Sequence, residues 1–216
     1  MPDYATNSPP NLDALRPLKI VIAGGFGAGK TTLVGAVSEI PPLRTEERLT
    51  EASVPSDSLT GVEAKTTTTV AMDFGRITLP VQKVQLMLFG APGQHRFRYI
   101  WDDLARGALG AAVLADTRRL DDSFDVITYF EQLHVPFVVA VNDFATAPHR
   151  YTPDEVRDAL CLPAAVPVLR CDARQARSAR TVLLALVEHA ADTARRAAGP
   201  GTSPSLGRPV PQGAHP

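Results

Sequence analysis

The sequence predicts an α/β fold, a mostly parallel sheet with helices on both faces and one antiparallel hairpin at its edge. Short apolar runs rich in β-branched residues alternate with longer segments of helical character, a pattern typical of strands covered on both faces. Only Thr78, Leu79 and Pro80 separate two of these runs, and strands joined so closely must pair antiparallel. The chain of 216 residues is long enough for one such domain with tails.

Each element is predicted from its local pattern, in chain order. Apolar runs predict strands at residues 18–23, 70–77, 81–89, 109–115, 136–141 and 166–171. Amphipathic segments between them predict helices at residues 30–40, 97–106, 123–133, 153–160 and 176–197. The fourth helix has the firmest start, because Thr152 and Glu155 form a capping box around Pro153. The polar stretch 43–65 shows no period and is predicted to be a long functional loop.

Prolines at the two ends of the chain set the predicted domain limits. Nine of the 19 prolines lie there, namely Pro2, Pro9, Pro10, Pro17, Pro200, Pro204, Pro209, Pro211 and Pro216. Together with glycine and serine they are typical of unstructured chain. We therefore expect a disordered extension over residues 1–17, one domain over residues 18–198 and a disordered tail over residues 199–216.

Charge and cysteine content exclude several classes of protein. The 22 basic and 23 acidic residues leave a net charge of −1, so no general basic field attracts nucleic acid. Cys161 and Cys171 are too few for a disulfide framework and lie in no zinc-binding pattern. No apolar run reaches the ~20 residues of a membrane span, and the N-terminus does not resemble a secretory signal. We expect a cytoplasmic protein that does not insert into the membrane.

The glycine-rich segment after the first strand is the most specific motif. Residues 24–31 match G-x-x-x-x-G-K-[ST] between a predicted strand and a predicted helix. In such a P-loop the backbone N–H groups face phosphate oxygens, the lysine binds the β- and γ-phosphates, and the threonine binds Mg²⁺. The residues expected at the phosphates are Gly25, Phe26, Gly27, Ala28, Gly29, Lys30, Thr31 and Thr32. The segment predicts a nucleoside triphosphate site without specifying the reaction.

Two segments downstream of the P-loop give the chain a closer resemblance. Four threonines at positions 66–69 run into the second predicted strand, and Gly90-Ala91-Pro92-Gly93-Gln94 follows the third. This arrangement resembles the small Ras-like GTPases. The Pro-Gly-Gln form is similar to the bacterial gliding-polarity GTPases and, closer still, to the actinobacterial conservon GTPases. The resemblance covers residues 19–197 and implies a P-loop NTPase of the small G-protein fold that binds GTP or GDP with Mg²⁺.

The resemblance also implies roles for individual residues. Thr69 would bind Mg²⁺ together with Thr31, with Thr68 as the alternative because consecutive threonines blur the register. The N–H of Gly93 would sense the γ-phosphate, and Gln94 would orient the attacking water as the catalytic residue. The residues that would surround the base are Asn142, Asp172, Ala173 and Arg174.

Two departures from the family pattern concern metal binding and turnover. Gly90 occupies the place of the usual Mg²⁺-side aspartate, so the metal would depend on threonines, phosphates and water. Phe26 occupies a position that is glycine in many small GTPases, where its ring would crowd Gln94 and slow hydrolysis. No arginine stands immediately before the switch threonine, so Arg44, Arg48 or a partner would supply the missing charge.

A third departure concerns the base. The family's guanine motif Asn-Lys-x-Asp is here Asn142-Asp143-Phe144-Ala145, so alanine replaces the aspartate that binds guanine. A site built around that carboxylate loses discrimination without it, by roughly 2–4 kcal/mol. Asp143 or Asp172 could compensate, and the sequence leaves guanine against adenine open.

The leading hypothesis is a GTP-binding molecular switch with slow hydrolysis in bacterial signalling. The resemblance implies a roadblock-fold regulatory partner and a sensor-kinase-like membrane protein, which would recruit this chain to the inner membrane face. A turnover-deficient nucleotide-binding scaffold is the alternative. A P-loop kinase is a third interpretation, for which residues 174–180 are the candidate arginine-rich lid.

Overall fold

One sheet organises the chain in the computed structural model, which describes residues 15–50, 67–81, 83–93 and 97–198. Within these residues seven strands form the sheet in the order β2-β3-β4-β1-β5-β6-β7. The strands are β1 Arg16–Gly24, β2 Leu43–Thr50, β3 Thr67–Leu79, β4 Val84–Gly90, β5 Gly110–Ala115, β6 Phe137–Asn142 and β7 Val168–Cys171. The helices are α1 Lys30–Val37, α2 Arg98–Ala105, α3 Asp122–Gln132, α4 Pro153–Ala159 and α5 Ala176–Ala198.

The strand pairing confirms the predicted α/β architecture. β1 lies at the centre and pairs in parallel with β4 and β5, and the parallel pairing continues through β6 to β7. Among the described strands β3 alone runs in the opposite direction, paired with β4 on one side and β2 on the other. Because the other strands run the same way, their carboxyl ends meet at one edge of the sheet, where ligands bind in folds of this kind.

The structure corrects the prediction of a long loop after the first helix. Residues 43–50 form the edge strand β2, in which Leu43 lies opposite Phe74 and Thr50 opposite Thr67. This strand shows no apolar alternation, so its side chains gave no sign of the backbone pairing with the long strand β3. Residues 51–66 lie outside the described residues.

Element ends also differ from the predictions. β1 begins at Arg16, so residues 16 and 17, assigned from proline content to the N-terminal extension, pair with β4. Helix α1 ends at Val37 rather than at residue 40, because Ser38 adopts an extended backbone. The remaining parts of the predicted extension and tail, 1–14 and 199–216, lie outside the described residues.

Two apolar clusters cover the two faces of the sheet. β1 shows the alternation: Val21 and Ala23 pack under α2 and α3, while Ile20 and Ile22 pack under α1 and α5. All residues of β5 and β6 are buried. None of the described helices is long and apolar enough to cross a membrane.

Candidate functional site

The predicted P-loop lies between β1 and α1, as the motif requires. Gly29 precedes α1 with φ of 105°, a left-handed conformation that glycine adopts without strain. A side chain there would also collide with Asn142, since a Cβ would lie 2.5 Å from its Nδ2. The motif glycine is therefore required by its backbone conformation and by its close contact with the strand β6.

Lys30 is a half-buried cation in contact with the loop backbone. Its Nζ donates to the carbonyl oxygens of Gly24 at 2.9 Å and Gly25 at 2.6 Å. Burial lowers the pKa of Lys30 to about 8, although the carboxylates of Asp73 and Asp122 act in the opposite direction. A polyphosphate bound beside Nζ would favour the charged ammonium form of Lys30. The ammonium group would in turn stabilise the negative charge of the phosphates.

A cavity of about 410 Å³ lies in front of Lys30, between the P-loop and the end of β4. Gly93, predicted to sense the γ-phosphate, lies directly against the P-loop, because a Cβ on it would come within 2.7 Å of Lys30 Nζ. The two segments thus enclose the place where the terminal phosphate of a nucleotide would lie. Gln94, predicted as the catalytic residue, lies outside the described residues.

Asp73 is a site residue that the sequence analysis did not identify. It is buried in β3 opposite Gly90 of β4, and its Oδ2 accepts a hydrogen bond of 2.5 Å from Thr31 Oγ1. A Cβ at Gly90 would lie only 3.0 Å from the Cβ of Asp73. The missing side chain at position 90 leaves the space that the Asp73 carboxylate occupies. An acidic residue inside an apolar strand was the available sequence signal.

The structure does not bring Thr69 to this site. Its backbone lies within β3 opposite Arg48, and Thr68 lies opposite Leu49. Asp73 lies four positions further along the extended strand than Thr69, a distance of about 13 Å. The metal role predicted for Thr69 or Thr68 therefore stays a prediction. The position of these threonines in β3 does not support it.

Arg119 is a second residue that sequence reasoning missed. It lies in the loop between β5 and α3, and its Nη2 donates to the carbonyl oxygen of Phe26 on the P-loop. The same guanidinium lies 3.7 Å from the carboxylate of Asp122. A cation therefore contacts the phosphate-binding loop from within this chain. Of the predicted alternatives, Arg44 and Arg48 lie in β2.

Three of the four predicted base-binding residues, Asn142, Ala173 and Arg174, come together next to the P-loop, and Asp172 is bonded to Arg174 without lining the same cavity. A cavity of about 160 Å³ is lined by Gly27, Gly29, Thr32, Asn142, Asp143, Phe144, Ala145, Ala173 and Arg174. Asn142 Nδ2 donates to the carbonyl oxygen of Ala28 at 2.9 Å, and its Oδ1 accepts from the N–H of Ala173 at 3.0 Å. Asn142 therefore joins the P-loop to the loop after β7.

The stretch considered as a kinase lid is part of the domain framework. Arg174 is paired with Asp172 through Nε and Nη2, and α5 begins at Ala176. Ala179 is fully buried on the sheet. Residues 176–180 are therefore part of a helix packed on the sheet, whereas a kinase lid has to move to close over a second substrate.

Comparisons with known proteins agree with this architecture. The sequence profile of the family described as "conserved hypothetical ATP binding protein" matches residues 22–193. An uncharacterized protein of Methanocaldococcus jannaschii is 28% identical over 127 residues, which are 58% of this chain and 69% of that protein.

Solved structures with the same fold include the cytosolic domain of the T. maritima FeoB iron transporter and the FeoB G-domain from Methanococcus jannaschii. The cytosolic domain of the T. maritima protein in a GDP form gives a TM-score of 0.58 at 17% identity, over 82% of this chain and 64% of that one. The G-domain of the Methanococcus jannaschii protein gives a TM-score of 0.56 at 13% identity, over 82% of this chain and 100% of that one. The chain thus covers less than two thirds of the T. maritima domain, and at these identities the likeness establishes the fold.

Proposed function

This chain belongs to the family of conserved hypothetical ATP binding proteins, and from this membership and the site geometry we propose that it is a GTP-binding switch that hydrolyses GTP slowly. The observation that carries the proposal is the half-buried Lys30, enclosed by the P-loop and by Gly93. A switch needs two segments that contact the terminal phosphate and relax when it leaves. The P-loop and the segment after β4 border the same cavity, so both would contact a terminal phosphate bound there, and the segment that carries Gly93 would relax when it leaves.

Thr31 and Asp73 fit a Mg²⁺ ion at this site. Mg²⁺ prefers oxygen ligands and commonly takes one or two from the protein, with phosphates and water completing its shell. The hydroxyl of Thr31 and the carboxylate of Asp73 already lie in contact beside the phosphate cavity. Bound Mg²⁺ would neutralise phosphate charge. Asp73 would take the role of the aspartate that related GTPases carry at the position of Gly90.

Slow turnover follows from the surroundings of the terminal phosphate. Phe26 is 63% exposed on the P-loop, where a large ring obstructs access of a partner's arginine. Arg119 contacts the carbonyl oxygen of Phe26 and would be a second cation, besides Lys30, that stabilises charge on the phosphates. Gln94 would orient the water. The regulatory partners that we propose are those that the family resemblance implies, a roadblock-fold protein and a sensor-kinase-like protein that would recruit the chain to the membrane face.

Single-turnover GTP hydrolysis tests the proposal. The purified chain is loaded with GTP and Mg²⁺, and phosphate release is followed with and without a roadblock-fold partner. We expect slow release that is abolished by Gln94→Ala and lowered about 10- to 100-fold by Arg119→Ala, while Arg106→Ala, at an exposed position just after α2, leaves it unchanged. Retained binding without any hydrolysis would favour the scaffold alternative, and loss of binding in the unmodified chain would refute both.

A further inference from the structure

In the base cavity, the amide groups suited to guanine recognition are bonded within the protein. Asn142 uses Nδ2 on the carbonyl oxygen of Ala28 and Oδ1 on the N–H of Ala173, all in buried positions. The N–H of Ala173 is thus directed at Asn142. The remaining amide hydrogen of Asn142 could serve only an acceptor such as purine N7, which adenine and guanine share.

The two carboxylates near the base are also paired. Asp143 Oδ2 lies 3.2 Å from Arg150 Nη1 and 3.5 Å from Arg170 Nη2. Asp172 accepts two side-chain hydrogen bonds from Arg174, at 2.8 and 3.0 Å, which lower the pKa of Asp172. Discrimination of guanine requires a carboxylate that accepts from its N1–H and its N2 amino group. Either aspartate would have to leave its arginine to do so.

Two planar groups that line the cavity, the ring of Phe144 and the guanidinium of Arg174, are held in place by other side chains. The guanidinium of Arg118 lies 3.7 Å from the ring centroid of Phe144 and is itself bonded to the buried carboxylate of Asp116. Asp172 fixes the guanidinium of Arg174 in the same way. Aromatic rings and guanidinium planes attract the face of any purine without regard to its exocyclic groups.

We propose that this cavity holds a purine by its faces and does not select guanine over adenine, so that ATP and GTP bind with similar affinity. The inference rests on the proposed nucleotide binding and concerns only the base. Its cause is the pairing of Asn142, Asp143 and Asp172 within the protein, together with Ala145 at the position where a carboxylate would bind guanine.

Equilibrium titration with two non-hydrolysable analogues, GMPPNP and AMPPNP, tests the inference in the presence of Mg²⁺. We expect dissociation constants that differ by less than tenfold in the unmodified chain. Ala145 is exposed, so Ala145→Asp adds the missing carboxylate without disturbing the core. This variant should bind GMPPNP about 10- to 100-fold tighter relative to AMPPNP. Ala145→Asn, which has the same shape without the charge, should shift the ratio less.

Each outcome has a separate meaning. A preference of tenfold or more for GMPPNP in the unmodified chain overturns the inference and leaves the proposed function standing. An unchanged ratio in Ala145→Asp, with thermal unfolding showing an intact fold, overturns it as well, because position 145 would then not face the base. Failure of both analogues to bind refutes the proposed function and the inference together.

Discussion

At the scale of single residues, the site depends on pairs in which one residue's small size makes room for another's polar group. Gly90 has no side chain, and the carboxylate of Asp73 from the neighbouring strand occupies the space beside Thr31. Gly29 leaves room for the Asn142 amide in the same manner. Gly90 therefore leaves space for a polar group at the phosphate cavity, and Gly29 does so at the base cavity.

Exchanging the two positions tests the metal role of Asp73. Asp73→Asn should weaken the Mg²⁺-dependent part of nucleotide binding about 10- to 100-fold, because the carboxylate beside Thr31 is lost. Gly90→Asp alone should also weaken it, since the new side chain would crowd Asp73. The double variant Asp73→Gly with Gly90→Asp should recover Mg²⁺ dependence in fluorescence titrations. No recovery, or no effect of Asp73→Asn, would contradict the assignment.

Asn142 is predicted to be a stabilising residue in the nucleotide-free protein. Asn142→Ala leaves the carbonyl oxygen of Ala28 and the N–H of Ala173 unpaired in buried positions. We expect the free energy of unfolding in urea to fall by about 2–4 kcal/mol. Ala145, an exposed residue three positions further along the chain, gives the control. Ala145→Ser should change the free energy of unfolding by about 0.5 kcal/mol or less. Equal effects of the two substitutions would show that Asn142 does not join the loops.

At the scale of elements, helix ends and loops fix the site, while the helices themselves pack the sheet. Helix α2 contributes in this way, since Trp101 Nε1 donates to the carbonyl oxygen of Pro92 at 2.9 Å and holds the loop after β4. The capping box at α4 positions the helix that follows the base loop. Thr152 Oγ1 accepts from the N–H of Glu155, and the Glu155 carboxylate accepts from the N–H of Thr152.

Removing one half of this box tests its contribution. Thr152→Ala should lower the free energy of unfolding by about 1 kcal/mol, because the capping hydroxyl is lost. Thr152→Ser keeps a hydroxyl and should retain most of the stabilisation by the cap. The hydrogen bond from the Thr152 backbone lowers the pKa of Glu155. The stabilisation by Glu155 is therefore present above its ordinary pKa of about 4.3 and is lost as the carboxylate protonates at lower pH. Urea unfolding of the three proteins at neutral and acid pH would measure both effects.

At the scale of the whole molecule, parallel strands bring segments distant in sequence to one edge. The bond from Asn142 to Ala28 joins residues 114 positions apart. A ligand that bridges the P-loop and the base loop contacts both halves of the sheet. Binding should therefore stabilise the folded chain as a unit.

Thermal unfolding measures this coupling. Mg²⁺-nucleotide at 100 times its dissociation constant should stabilise the chain by roughly 2.7 kcal/mol and raise the melting temperature accordingly. Lys30→Ala should abolish this shift, because the cation at the phosphates is lost. The control Arg106→Ala, which removes an exposed side chain just after α2, should retain the shift. A shift that persists in Lys30→Ala would place the nucleotide elsewhere.

The sequence by itself determined the P-loop and, except for β2, the strands and helices of the sheet, because these depend on local patterns, while the family resemblance supplied the group of residues around the base. Only the tertiary structure placed Asp73 beside Thr31. A link of residues 78–80 alone would set Asp73 opposite Gln85, whereas the actual turn before Val84 sets it opposite Gly90. Strand register depends on turn geometry and on packing between distant segments. The edge strand β2 and the Asn142 bonds were decided in the same way, by partners far along the chain.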